Sequence, residues 1–351
     1  DWSSDVCSSD LEGILSAPVR SIEPVLFLPL VGPEAPPTVR RFRDGDVEHI
    51  DVSPWRRESV ARFLRPIVRP FVPDGACDLW HVTSQSSKFL PLDARVPVVL
   101  TIHDLNFLHE SPRDAESPSV ERKLADIQRK VDRAAVIVTD SEFVAADVVR
   151  HVDVRGKPLH VVPLGVPDPA APSAERPRFL PPGPFLFTVG NCLPHKNFHV
   201  LLDLVERLPG RRLVIAGKKS TPYGAFLERE VAARGLAGRV LLPGEVSDGD
   251  RQWLYGNCEA FLFPSLTEGF GFPVLEGMLG GRPVFLARRT SLPEIAGDHG
   301  FFLESFDGEA LAAAFHDGMR RWLADPEAAA AARRHALSFS WQRMARGYAD
   351  I

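Results

Sequence analysis

Along the chain, short apolar runs alternate with longer stretches in which apolar positions recur every three to four residues. A short run bounded by turn residues reads as a buried strand, and a longer periodic stretch as an amphipathic helix. The runs predict a first series of strands at Val25–Leu28, Leu79–Val82, Val98–Ile102, Val136–Thr139 and His160–Val162. A second series is predicted at Phe185–Val189, Leu213–Ile215, Val240–Leu242, Ala260–Phe263 and Val284–Leu286. The runs are nearly continuous rather than alternating, as expected where helices cover both faces of a parallel sheet. Between the series lies VPDPAAPSAERPRFLPPGP, rich in proline and without period, which reads as a linker. The expected organisation is an N-terminal domain over 12–170, a linker over 171–183, a C-terminal domain over 184–335 and a terminal helix over 336–351 that crosses back to the first domain.

With 351 residues, 44% of them hydrophobic and 25% charged, the chain has the length for two cores and the composition of a globular protein. A net charge of −5 gives no reason to expect nucleic acid as a partner. No run approaches the roughly 18 apolar residues of a membrane span, and the chain reads as cytoplasmic. The opening DWSSDVCSSDL has neither period nor capping logic and resembles the in-frame translation of a DNA-sequencing adapter. Residues 1–11 are therefore expected not to be native, with the true N-terminus missing. Of the cysteines, Cys7 falls in that segment, while Cys77, Cys192 and Cys258 are widely spaced, as buried thiols in a reducing compartment would be.

Polar groups and glycines gather just beyond the predicted strands: His103 and Asp104, Asp140 and Ser141, Gly190 and Asn191, Gly217 and Lys218, and Glu268. In open α/β sheets ligands bind beyond the carboxyl ends of the strands. FPSLTEGFGFPVLE, from Phe263 to Glu276, combines a strand, a loop with Gly269 and Gly271, and a helix with Pro273 at its first position. Strand, glycine loop and helix start make an anion site, because unpaired N–H groups and the positive helix end face one point. Glu268 and Glu276 could grip sugar hydroxyls. A glycosidase pair would have to flank one bond at about 5 to 9.5 Å and would leave the glycine loop unexplained. The structural alternative is that Glu268 caps a helix and Glu276 is a solvated surface charge.

PSLTEGFGFPVLEGMLGGRPV resembles the E-x7-E signature of glycosyltransferase family 4, the group 1 glycosyl transferases. VVLTIHDLNFLHES, VTDSEFVAADVVRH, VVPLGV, VGNCLPHKNFHVLL, LVIAGKK, VSDGDRQWLYGNCEAFLFPS, TSLPEIAGDHGFFL and SFSWQRMARGY match in the right order. TSLPEIAGD is typical of the branch with many mannosyltransferases of surface-polysaccharide assembly. The resemblance implies an α/β protein of GT-B fold, with two facing Rossmann-like domains, a deep cleft and a missing first β-α unit. It implies a retaining hexosyltransferase, metal-independent and without cofactor, that moves sugar from a nucleotide diphosphate donor to a glycan or lipid-linked acceptor. Peripheral contact at the inner membrane face goes with a lipid-linked acceptor.

By the same resemblance Glu268 contacts the donor sugar and Glu276 the ribose, while the amides around Gly269, Phe270 and Gly271 hold the diphosphate. Lys196 is its cationic partner, Asn191 and Lys218 complete the donor site, and His103 lies at the reacting carbon. Many relatives carry arginine where this chain has Asn191 and His195, which places more weight on Lys196. A metal held by His103, Asp104 and His109 is disfavoured, since the spacing matches no standard site. Trp55–Phe71 mixes arginines with apolar residues as a membrane-facing helix would, but Pro66 and Pro70 favour an ordinary surface segment. A 2-epimerase-like enzyme on the same fold, or a non-catalytic nucleotide-sugar-binding protein, are the competing expectations.

Overall fold

The computed structural model describes residues 25–28, 48–51, 77–87, 90–91, 93–109, 117–166, 172–173 and 175–351. The segments 1–11 and Trp55–Phe71, the end of the expected N-terminal domain at 167–170 and the first linker residue, 171, lie outside the described residues. Strands β1 (Val25–Leu28) and β2 (Glu48–Asp51) pair in parallel by themselves. Strands β3 (Trp80–Val82), β4 (Val98–Ile102), β5 (Val136–Thr139) and β6 (Leu159–Val161) form a parallel sheet in that order. Its helices are α1 (Pro118–Arg133) and α2 (Glu142–His151), capped by the Ser117 and Ser141 hydroxyls, which accept from Val120 N–H and Val144 N–H.

The second sheet has six parallel strands: β7 (Phe185–Val189), β8 (Arg212–Ala216), β9 (Val240–Gly244), β10 (Ala260–Phe263), β11 (Val284–Ala287) and β12 (Phe301–Leu303). The order β12-β11-β10-β7-β8-β9 is doubly wound, with its switch point between β7 and β10. Leu186 and Phe187 are adjacent, yet they enter different cores on opposite faces of this sheet, and both are fully buried. Two-sided burial is the reason these strands carry unbroken apolar runs. The strands β2 and β12 were not expected. EHID has no apolar run, and FFL is too short to stand out.

The helices of this half are α3 (Val200–Arg207), α4 (Pro222–Ala233), α5 (Asp248–Asn257), α6 (Phe272–Leu279), α7 (Leu292–Ala296), α8 (Gly308–Ala324), α9 (Ala328–Leu337) and α10 (Trp341–Ala349). Helix α6 begins at Phe272, so Pro273 is at its second position rather than its first. The expected helix over 336–351 is instead the end of α9 followed by α10, broken at 338–340, where Ser340 caps the new helix.

Helix α10 lies against the four-stranded sheet. Tyr348 Oη is 2.8 Å from Thr101 Oγ1, and Thr101 Oγ1 is 2.8 Å from His81 Nε2. A Cβ on Gly165 would stand 2.4 Å from Trp341 N, and Val166 N–H donates to Phe339 O at 2.9 Å. The core cluster under this helix runs continuously from Val99 and Val138 to Phe261 and Met344, joining the two sheets. Among the described residues no helix is long and apolar enough to cross a membrane.

Candidate active site

Strands β7 and β10 are neighbours whose connections leave in opposite directions, so the loops that follow them open on one crevice. After β7 come Gly190, Asn191 and a tight turn at Pro194–Lys196, ended by Asn197 at φ 57°. After β10 comes the loop 264–271. The two loops are tied together: Leu266 N–H donates to His195 O at 2.7 Å, and Ser265 Oγ to the same carbonyl at 3.3 Å.

At their meeting point Lys196 Nζ donates to Glu268 Oε1 at 2.6 Å, with the two side chains only 16% and 13% exposed. Both belong to the expected site, 72 residues apart in sequence. Lys196 also lies over the Phe263 ring, 5.4 Å from its centroid. Gly217, at φ 124°, lets β8 approach this corner; a Cβ there would meet Gly190 O at 2.2 Å. Asn191 sits at the same corner, whereas Lys218 is exposed and contributes its carbonyl to Cys192 N–H.

Glu276 projects from α6 and is fixed from behind. The Tyr255 hydroxyl donates to its Oε2 at 2.7 Å, and Arg251 Nη2 is 3.9 Å from Oε1. Tyr255 is fully buried, and burial together with Glu276 pushes its phenol well above the ordinary range. It therefore stays a donor to the carboxylate. Sequence reasoning missed Tyr255, which reads as one more apolar residue of α5.

Residues 268–271 are also held by Thr290 and Ser291, which sequence reasoning did not single out, and by Ser141, which it placed at a strand end without this role. Glu268 N–H donates to Thr290 Oγ1 at 3.1 Å, and buried Ser291 shares its one hydroxyl hydrogen between Glu268 O at 3.0 Å and Phe270 O at 2.9 Å. Thr290 takes φ 50°, a left-handed conformation unusual for a β-branched residue. From the facing sheet, Ser141 Oγ donates to Gly269 O at 2.8 Å. Thr267 Oγ1 donates to Asn106 Oδ1 at 2.6 Å, and Glu294 accepts from Glu142 N–H at 2.9 Å and Phe143 N–H at 3.3 Å. At the start of α6, Pro273 has no N–H to give and Val274 N–H donates to Gly271 O at 3.0 Å; the positive end of the helix lies beside the loop 264–271.

His103 ends β4 and faces Gly269 with its carbonyl; a Cβ on that glycine would stand 2.2 Å from His103 O. Its ring is engaged at both nitrogens. Nδ1 is 2.7 Å from Asp140 Oδ2 and Nε2 is 2.7 Å from Thr83 O. Since a carbonyl only accepts, Nε2 carries a proton. The main-chain carbonyl, not the ring, is what His103 presents to the loop. Asp104 lies beside it, accepting from Asn106 N–H at 2.9 Å. Burial pushes the Asp104 carboxyl above its ordinary range, opposed by Asn106 N–H and His103. His109 turns away to Asp147 Oδ2 at 2.7 Å.

Residues 19–168 match the family described as Glycosyltransferase Family 4, and residues 174–338 the family described as Glycosyl transferases group 1. The chain is 27% identical over 262 residues to the O-antigen chain mannosyltransferase B of Escherichia coli, covering 70% of this chain and 67% of that protein. It is 29% identical over 213 residues to the serotype-specific mannosyltransferase WbdA of Escherichia coli, covering 57% of this chain but only 26% of that protein. Among solved structures it is similar to Anabaena HepE in complex with UDP and glucose, at a TM-score of 0.69 over 99% of this chain and 95% of that one. With 19% sequence identity, that likeness concerns the fold.

Proposed function

From a chain that belongs to glycosyltransferase family 4, the group 1 glycosyl transferases of GT-B fold and an enzyme family of retaining hexosyltransferases, we infer the reaction at the crevice. We propose that it moves a hexosyl group, mannosyl by preference, from a nucleotide diphosphate sugar to a glycan or lipid-linked acceptor in surface-polysaccharide synthesis. The observation that carries this reading is the Lys196–Glu268 pair at the switch point, beside the start of α6. A cation, loop amides and a positive helix end suit a diphosphate, and a carboxylate suits sugar hydroxyls. The mannosyl preference is supported by the names of both curated relatives, and the diphosphate donor by the UDP bound to HepE.

In this reading the bond from the anomeric carbon to the diphosphate breaks while the acceptor oxygen bonds to that carbon on the same face. The acceptor proton passes to the departing diphosphate. Lys196 and the amides of Phe270 and Gly271 neutralise charge on the leaving group, Glu268 orients the sugar, and Glu276, braced by Tyr255, holds the ribose. Chemistry of this kind asks the protein for position and electrostatics rather than for a nucleophile.

A thermal-shift screen of nucleotide diphosphate sugars tests it first, since a ligand that binds only the folded state raises its melting temperature. A donor should stabilise the protein and be consumed only with acceptor, with Glu268→Ala abolishing transfer. Consumption without acceptor to give an isomeric donor would favour the epimerase, and no response to any donor would overturn the assignment.

A further inference from the structure

The carbonyls of Glu268, Gly269 and Phe270 each face a buried serine hydroxyl, the first and third sharing the single hydrogen of Ser291 and the middle one taking that of Ser141. A peptide unit is planar and trans, so fixing a carbonyl fixes the opposite direction of the next residue's N–H. These contacts therefore fix the directions of the N–H groups of Gly269, Phe270 and Gly271, that of Phe270 through Ser141. Ser291 lies in the same half as the loop, at the start of α7. Ser141 comes from the facing half, where it caps α2 by accepting from Val144 N–H at 3.2 Å while its own hydrogen goes to Gly269 O. Glu294, on the element that begins with Ser291, accepts from Glu142 and Phe143 N–H and keeps that helix end against the loop.

We propose that Ser141 is a positioning residue for the leaving group: it supplies the hydroxyl from the acceptor half that orients the Phe270 amide, so the diphosphate cradle is complete only when the two halves are closed. Nucleoside binding thus belongs to one half alone, while stabilisation of the diphosphate requires both. Departure of the leaving group is thereby tied to closure over the acceptor. The inference rests on the diphosphate-sugar reading above and adds Ser141 to it.

Two substitutions separate positioning from folding. Ser141→Asp keeps a side-chain acceptor for the α2 cap but has no hydrogen to give Gly269 O. Ser141→Thr keeps both functions, and the extended backbone at this position, φ −149°, admits a β-branched residue. Calorimetric titrations of UDP, UMP, GDP and GMP into the full chain read the cradle without chemistry. In the wild type the diphosphate of the matching base binds more tightly than its monophosphate. Ser141→Asp should cut that ratio about tenfold, the effect of one hydrogen bond to a charged group, while monophosphate affinity holds. Ser141→Thr should restore it. A wild-type ratio in Ser141→Asp would overturn the role of Ser141 alone. A wild type with no preference for diphosphate would overturn the functional reading with it.

Discussion

Replacing Gly269 by alanine tests the contact between the loop and the strand end opposite. The added Cβ would stand 2.2 Å from His103 O and 2.9 Å from Asp104 Cβ, both fixed parts of β4 and its turn. Ordinary carbon contacts lie near 3.5 Å, so the loop must retreat by about 1 Å. Gly269 does not occupy the left-handed region, so the effect is one of space and not of backbone strain. Overpacking of this kind costs typically 1–3 kcal/mol, and a misplacement of about 1 Å at a reacting centre costs about a hundredfold in rate. We expect Gly269→Ala to lower kcat by about two orders of magnitude while the melting temperature falls by only a few degrees. Gly256→Ala is the control. It lies in α5 with nothing within 4 Å of the new Cβ, and should raise helix stability by a few tenths to about 1 kcal/mol. Gly269→Ala with wild-type kcat, measured by donor consumption with acceptor, would refute the claim that this close approach sets the reacting geometry.

Three further outcomes are expected. Lys196→Ala should lower kcat/KM for the donor by at least about tenfold, because in the proposed site the diphosphate loses its cation and Glu268 its counter-charge; steady-state kinetics over donor concentration check this. Tyr255→Phe removes the hydroxyl given to Glu276 and should cost about 1–3 kcal/mol in urea unfolding, with a rise in donor KM. His81 is held neutral by burial, its pKa lowered from 6.5 to about 4. Between those values the unfolded chain binds the proton and the folded one does not, so this residue makes stability fall as pH drops from 6.5 towards 4 and level off below; His81→Gln should flatten that part of a melting-temperature profile.

Much of this was legible in the chain. The buried parallel strands announced themselves as unbroken apolar runs, because helices on both faces leave no polar side to alternate. Lys196 and Glu268 stood out because each follows a strand end, and the doubly wound order brings those ends together. What could not be read was support from distant segments. Ser141 is 128 residues from the carbonyl it holds, and Glu294 is 152 residues from the Glu142 amide it accepts from. Thr290 looks like a loop residue until its left-handed backbone is seen gripping Glu268 N–H. His103 was expected at the reacting carbon, without a sign of which of its groups would face the loop. Asp140 and Thr83, which take the two ring nitrogens, meet it only through the pairing of β3, β4 and β5.

The chain passes between the sheets twice, outward after β6 and back between α9 and α10, and the two passages are joined by the hydrogen bond from Val166 N–H to Phe339 O, with Gly165 seated on Trp341. A single tether would let the halves swivel and twist; a door hung on two adjacent knuckles can only swing. Pinned to each other at Val166 and Phe339, the two crossings restrict relative motion of the halves more than one crossing would. Ser141 and Gly269 meet across the same two halves at 2.8 Å, so whatever restrains the halves at the crossings also restrains that contact.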